Sequence, residues 1–414
     1  MIGTIIALLV AVGVYLNAPA EQSLSLMEVA LFLVTPAALF LLVPTIALFI
    51  ASGSIQRSEH DLTSRIHELF RKDRSLTWMR RWLYIFPLLT YLGAMAFFFF
   101  PKINNPLFLA IWIVLFGIAM DVLYQTVKRV YGYLDPFYVT DLLKRRAVVS
   151  IQNEQELDLC QWSDALSEIG VKAVQRHSSS LAIHVCKHLQ EIATLFLRSA
   201  KSISYQEKDP QSQAMGIKDK VSYTLFFLLQ RLEMINDKAV KQHLEPVCSG
   251  TVTETGKIAI AAAKYDFSMM SFPVHFLGRF AMAAQTQGVP EVGSKAVCTL
   301  QEVAKQVLSE GETQYAELQE PFTTLVSQMN EISREMFHQD KTISPKLLIQ
   351  PFRELRALFT SEKMAAHPDS ANIIAGIDRV IGEFETLDTI LRTLPSFTPT
   401  PEQSDQQKSA ANAL

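Results

Sequence analysis

The chain has 414 residues, 49% of them hydrophobic, and a formal net charge of −3. Its length exceeds the about 100–200 residues usual for one domain, and it lacks the basic excess of a nucleic-acid binder. Cys160, Cys186, Cys248 and Cys298 are scattered without a Cys-x-x-Cys. That pattern points away from a disulfide framework and toward small buried hydrophobes in a reducing compartment.

Four apolar runs, 2–17, 29–52, 82–100 and 106–120, open the chain. Each reads as a membrane-spanning helix, since a hydrocarbon core of about 30 Å needs roughly 20 apolar residues. The first run ends at Ala18-Pro19-Ala20, which has the small residues of a cleavage site. No Lys or Arg precedes it, as a signal peptide requires, so retention is expected. The loop 53–81 carries Arg57, Arg65, Arg71, Lys72, Arg74, Arg80 and Arg81, whereas the other two connections hold only Lys102. By the positive-inside rule the basic loop, both termini and the bulk of the chain face the cytoplasm.

Leu62, Ile66, Leu69 and Phe70 share one helical face of that loop. Arg57, Arg65, Arg71, Lys72 and Arg74 surround it. Such a basic amphipathic helix either lies on an anionic leaflet or packs its apolar face on the cytoplasmic domain. Asp121 stands near the cytoplasmic end of the fourth run. An intramembrane acid marks an ion or proton path unless it reaches the headgroup zone, and Tyr124, Lys128 and Arg129 nearby favour the headgroup zone.

Residues 126–153 form a juxtamembrane connector, with 147–151 the one short β-like run. Helical periodicity then dominates 154–395, with helices expected over 154–175, 179–202, 218–241, 254–265, 271–285, 290–309, 313–338, 345–360 and 371–393. Glu168-Ile-Gly-Val-Lys-Ala-Val174 is echoed by Glu291-Val-Gly-Ser-Lys-Ala-Val297, and more loosely by Glu254-Thr-Gly-Lys-Ile-Ala259. Gly170, Gly216, Gly256 and Gly293 follow one another at 46, 40 and 37 residues, near the period of helix-pair repeats, roughly 40–47 residues. The fold class is therefore all-α: a four-helix membrane block followed by an irregular bundle or a stack of helix pairs. The Pro-, Gln- and Ser-rich tail 396–414 is too polar to fold.

His184 and His188, four residues apart, share a helical face that Glu191 can join. Histidines at this spacing more often form a polar face or a packing pair, so no metal site is expected; these three are the metal-ligand candidates by residue type, although the Glu that follows the first His in a zinc hydrolase helix is missing. No phosphate loop, dinucleotide fingerprint or nucleophile elbow is present, and Ser178-Ser179-Ser180 reads as a helix cap beside His177. The sequence implies no cofactor and points away from an enzyme.

The layout resembles an uncharacterised family of bacterial predicted membrane proteins with four N-terminal spans, a basic second loop and a cytosolic helical domain. The matching stretches are Glu154-Gln-Glu-Leu157, Ile169-Gly-Val-Lys-Ala173 and Ala182-Ile-His184. The family's Asn-Asp-Pro turn is replaced here by Arg176-His177-Ser178. The resemblance implies a multi-pass protein of a bacterial inner membrane and carries no activity. The expected role is a membrane-anchored platform that binds the bilayer and a protein partner, with homo-oligomers possible and no nucleic acid. The alternative is an oligomeric channel or transporter with Asp121 near the path.

Overall fold

A computed structural model describes residues 2–17, 62–99, 106–204, 217–310 and 317–393, with four isolated positions between 35 and 45. The second apolar run outside those positions, Ala18-Pro19-Ala20, Arg57 and the tail lie outside the described residues. All regular structure among the described residues is helical. Backbone contacts divide the chain into two units, Met1–Leu189 and Gln190–Leu414.

The first unit contains α1 (Ile2–Asn17), α2 (Ile66–Lys72), α3 (Arg74–Phe99), α4 (Pro106–Gly132), α5 (Pro136–Gln152), α6 (Glu156–Gln175) and the start of α7 (Ser179–Ser204). One segment among the described residues is long and apolar enough to cross a bilayer, Ala110–Gly132 in α4. The expected block of four spans is therefore not what the described residues present. The 16 residues of α1 extend about 24 Å at the helical rise, short of a hydrocarbon core. In α3 the charged residues Arg74, Arg80 and Arg81 all precede the apolar run that begins at Trp82.

α1 and α4 run antiparallel and meet through small residues. Ala7 and Ala11 are buried, and a Cβ added to Gly117 would lie 2.3 Å from Ala7 Cβ and 2.8 Å from the Gly3 carbonyl. Gly at that position is what allows the two backbones to approach, the device that membrane helices use where apolar burial gives no drive. Large side chains point outward instead: Ile5, Ile6, Leu8 and Leu9 on α1, and Leu88, Leu89 and Leu92 on α3, are all exposed. α3 and α4 form an antiparallel pair around Leu83, Phe86, Trp112, Ala119 and Val122, and Trp112 Nε1 donates to Thr90 Oγ1 at 3.4 Å.

The connector proved helical. Asp135 caps α5 by accepting from the Phe137 N–H, and Pro136 occupies the first turn, where a missing N–H costs nothing. The β-like run 147–151 is the last part of this helix. Its β-branched residues are tolerated because the apolar face, including Val139, Leu143, Ala147 and Ile151, is buried.

The second unit continues with α8 (Ile217–Lys241), α9 (Glu245–Tyr265), a 3₁₀ turn (Phe267–Met270), α10 (Ser271–Thr286), α11 (Glu291–Glu310), α12 (Gln319–Gln339), α13 (Pro345–Phe359), the single turn α14 (Glu362–Ala365) and α15 (Ser370–Thr393). Most boundaries fall within a few residues of the sequence expectation. α9 begins at Glu245 rather than 254, with a proline in its first turn, and α12 begins at Gln319 rather than 313. Alternate helices pack together: α8 on α10, α10 on α12, α9 on α11, α11 on α13 and α13 on α15. Neighbouring helices also touch, so the elements alternate between two layers, as in stacked helix pairs.

The repeated glycine motif does not mark this alternation. Gly170 lies in the second half of α6, Gly256 midway along α9 and Gly293 in the first turn of α11. Gly256 faces Thr299 Cγ2, 2.4 Å from where its Cβ would be, and Gly293 underlies the Gln285 side chain. Gly256 and Gly293 thus lie where helices approach closely, at different positions within them.

Four helix ends close in the same way. The N–H groups of Gln155, Ser178, Leu244 and Val289 reach back five residues to the carbonyls of Ser150, Ala173, Ala239 and Ala284. This is the Schellman bond, which places the preceding residue in the left-handed region. Those residues are Glu154, His177, His243 and Gly288, with φ of 56°, 56°, 53° and 78°.

Candidate functional site

α5 and α7 bring three metal-ligating side chains together within the first unit. Asp141 lies in the second turn of α5; His184 and His188 lie one turn apart on α7. One ligand atom from each lies within 4.8 Å of the other two. Asp141 Oδ1 is 2.9 Å from His188 Nε2 and 3.5 Å from His184 Nε2. The two imidazoles stand edge to face with centroids 4.2 Å apart, and Phe137, one turn before Asp141, sets its ring against His184.

His188 is buried, His184 partly covered and Asp141 half exposed, so the cluster opens to solvent on its acidic side. Burial, and then His184, push the His188 imidazole below its ordinary range; the hydrogen bond with Asp141 acts in the other direction. Glu191, expected as the third member, is not in this group. Asp141 takes its place, 43–47 residues away in sequence, and no helical spacing could have signalled that pairing.

Asp121 serves the packing of two helices. Its carboxylate accepts from the backbone N–H groups of Gly3 and Thr4, at 3.1 and 3.0 Å, and from the Thr4 hydroxyl. These are among the first N–H groups of α1, which have no partner within the helix, and the helix dipole favours an anion there. Asp121 thus caps α1 from across the interface.

The basic segment is tied to protein. Leu62, Ile66 and Leu69 are buried, and Phe70 meets the Tyr133 ring edge-on at 5.4 Å. Thr63 Oγ1 donates to Glu168 Oε2 at 2.8 Å, and Arg65 donates to Gln161 Oε1 at 2.9 Å, both on α6. Arg71 and Arg74 remain exposed.

Asp73 breaks the chain between α2 and α3 and gathers four donors. Its Oδ1 accepts from the N–H groups of Ser75 and Leu76, which caps α3; its Oδ2 accepts from Arg129 Nε at 2.8 Å and Tyr133 Oη at 2.9 Å. Burial raises the Asp73 carboxyl, but Tyr133, the Leu76 N–H and Arg129 outweigh it and hold the group below the usual carboxylate range. The Tyr133 phenol moves up in response to burial and to Asp73. The sequence reading did not single out this clamp; the Asp that follows a basic helix and precedes an apolar one was its only local signal.

In the second unit, α9 and α11 leave an open groove of about 360 Å³ beside Gly256, bordered by Thr253, Lys257, Lys295, Cys298 and Glu302.

No protein-family model matches the chain, and no curated protein matches it. Among solved structures it is similar to a "circular tandem repeat protein with novel repeat topology and enhanced subunit contact surfaces". The likeness has 14% identity and a TM-score of 0.36, covering 79% of this chain and 76% of that one. At that level it bears on neither fold nor function.

Proposed function

We propose that the chain is a membrane-anchored helical platform whose layered second unit binds a protein partner in the cytoplasm of a bacterium. The observation that supports it most is the contact of α1 with α4, where Gly3, Ala7 and Gly117 face inward, while Ile5, Ile6, Leu8 and Leu9 on α1 and Leu88, Leu89 and Leu92 on α3 are left exposed. In water such a surface drives association, whereas lipid tails solvate it. The later helices have the opposite arrangement, with apolar residues inside. The engagement of Asp121 by α1 favours an anchor over a channel, because the acid named for an ion path already completes a helix cap.

Two experiments test this reading. Alkaline carbonate extraction of native membranes is expected to leave the full chain in the pellet; release into the supernatant would contradict the anchor. A photo-crosslinker placed at Lys257, beside the groove, is expected to trap a reproducible protein adduct in cells. The same probe at exposed Tyr131 provides the control, and equal trapping at both positions would contradict a specific platform surface.

A further inference from the structure

We infer that Asp141, His184 and His188 form a binding site for a first-row divalent cation of the zinc class, with an exchangeable water completing its coordination. Three donor atoms from two helices converge, and the donor set of two imidazoles and one carboxylate suits zinc and its neighbours in the series. Ligands about 2.0–2.1 Å from a tetrahedral ion lie about 3.3 Å apart. The two nitrogens lie 2.9 and 3.5 Å from Asp141 Oδ1, one on each side of that value.

A second observation points to the same place. His184 Nε2 is buried and has no hydrogen bond; its nearest acidic atom is the Asp141 oxygen at 3.5 Å, already bonded to His188. A buried polar nitrogen left unsatisfied is costly, and a cation between the three atoms removes that cost. Phe137 against one face of His184 limits how far the ring can turn away. The half-exposed Asp141 provides an entry path and room for water. Lys144, one turn beyond Asp141, adds positive charge near the cluster, which opposes cation binding.

The consequence is mechanical. Asp141 belongs to the helix that directly follows α4, and the histidines belong to α7. An ion held by all three fastens the juxtamembrane helix α5 to the first half of α7.

The test uses the full chain in neutral detergent, purified without a histidine tag and stripped with a chelator. Zn²⁺ alone is then added, followed by dialysis and metal analysis. The wild type is expected to retain one tight equivalent and to show a raised thermal midpoint; Asp141→Asn and His184→Gln are expected to lose both while keeping helical content. Co²⁺ in place of Zn²⁺ should give visible ligand-field absorption in the wild type only. Failure of the wild type to retain Zn²⁺ would overturn the inference, as would equal retention by both variants. If a variant loses helical content, His184→Asn in the same assay decides, since it changes one ligand at the partly exposed position.

Discussion

Asp73 and the cysteines give predictions at the scale of single residues. The Asp73 carboxyl is held low, so its contribution to stability is fully present above the ordinary carboxylate range of about pH 4 and is lost as pH falls through the folded value. The unfolding midpoint in neutral detergent should carry an acid limb below about pH 4 that Asp73→Asn lacks. Asp73→Ala should cost about 0.5–2 kcal/mol for the lost cap alone, with more from the stranded Arg129. Among the cysteines, burial pushes the Cys248 thiol up to about 12, and Cys186 is also buried, while Cys298 is exposed. A maleimide at neutral pH should modify Cys298 rapidly and leave Cys186 and Cys248 intact until the chain is denatured; mass mapping of the labelled peptides reads this directly. The sequence showed which residue types were present, and for His184 and His188 even the shared face. It could not show their third partner, because Asp141 arrives by the packing of a separate helix.

At the scale of elements, two packing devices are open to test. Gly117→Ala forces a Cβ within 2.3 Å of Ala7 Cβ and should destabilise the α1–α4 contact by about 1–3 kcal/mol. Ala7→Gly in the same chain should recover part of the loss, as the thermal midpoints of the single and double variants will show. The Schellman turns give a prediction of opposite sign. His177 and His243 take a conformation that costs an ordinary residue roughly 1–2 kcal/mol, whereas Gly288 takes it freely. His177→Gly and His243→Gly should each raise the thermal midpoint slightly, and a fall at both positions would contradict the assignment.

Helix boundaries were legible wherever apolar periodicity was long, as in α8, α11 and α15. α5 was hidden by the β-branched run at its end, and the start of α9 by the weak helix formers Ser249, Gly250 and Thr251, which interrupt the apolar pattern although Val247, Cys248, Thr251 and Val252 are buried. Two copies of the glycine echo, at Gly256 and Gly293, sit at close helix contacts, but at different positions within their helices, so the echo did not mark the layering of the stack.

At the scale of the whole molecule, composition indicated an apolar beginning and a helical remainder, and the described helices keep that division of chemistry. Among the described residues one segment, Ala110–Gly132, is long and apolar enough to cross a bilayer, and α1 with its 16 residues is short for a span. The central claim is a helical platform held at the cytoplasmic face, and Cys298 offers the most direct measurement of it. A chain with Cys160, Cys186 and Cys248 changed to Ala retains one exposed thiol on α11. A membrane-impermeant maleimide is predicted to label it in inside-out vesicles and to leave it untouched in right-side-out vesicles until detergent is added. Labelling from the outside of sealed right-side-out vesicles would contradict the account.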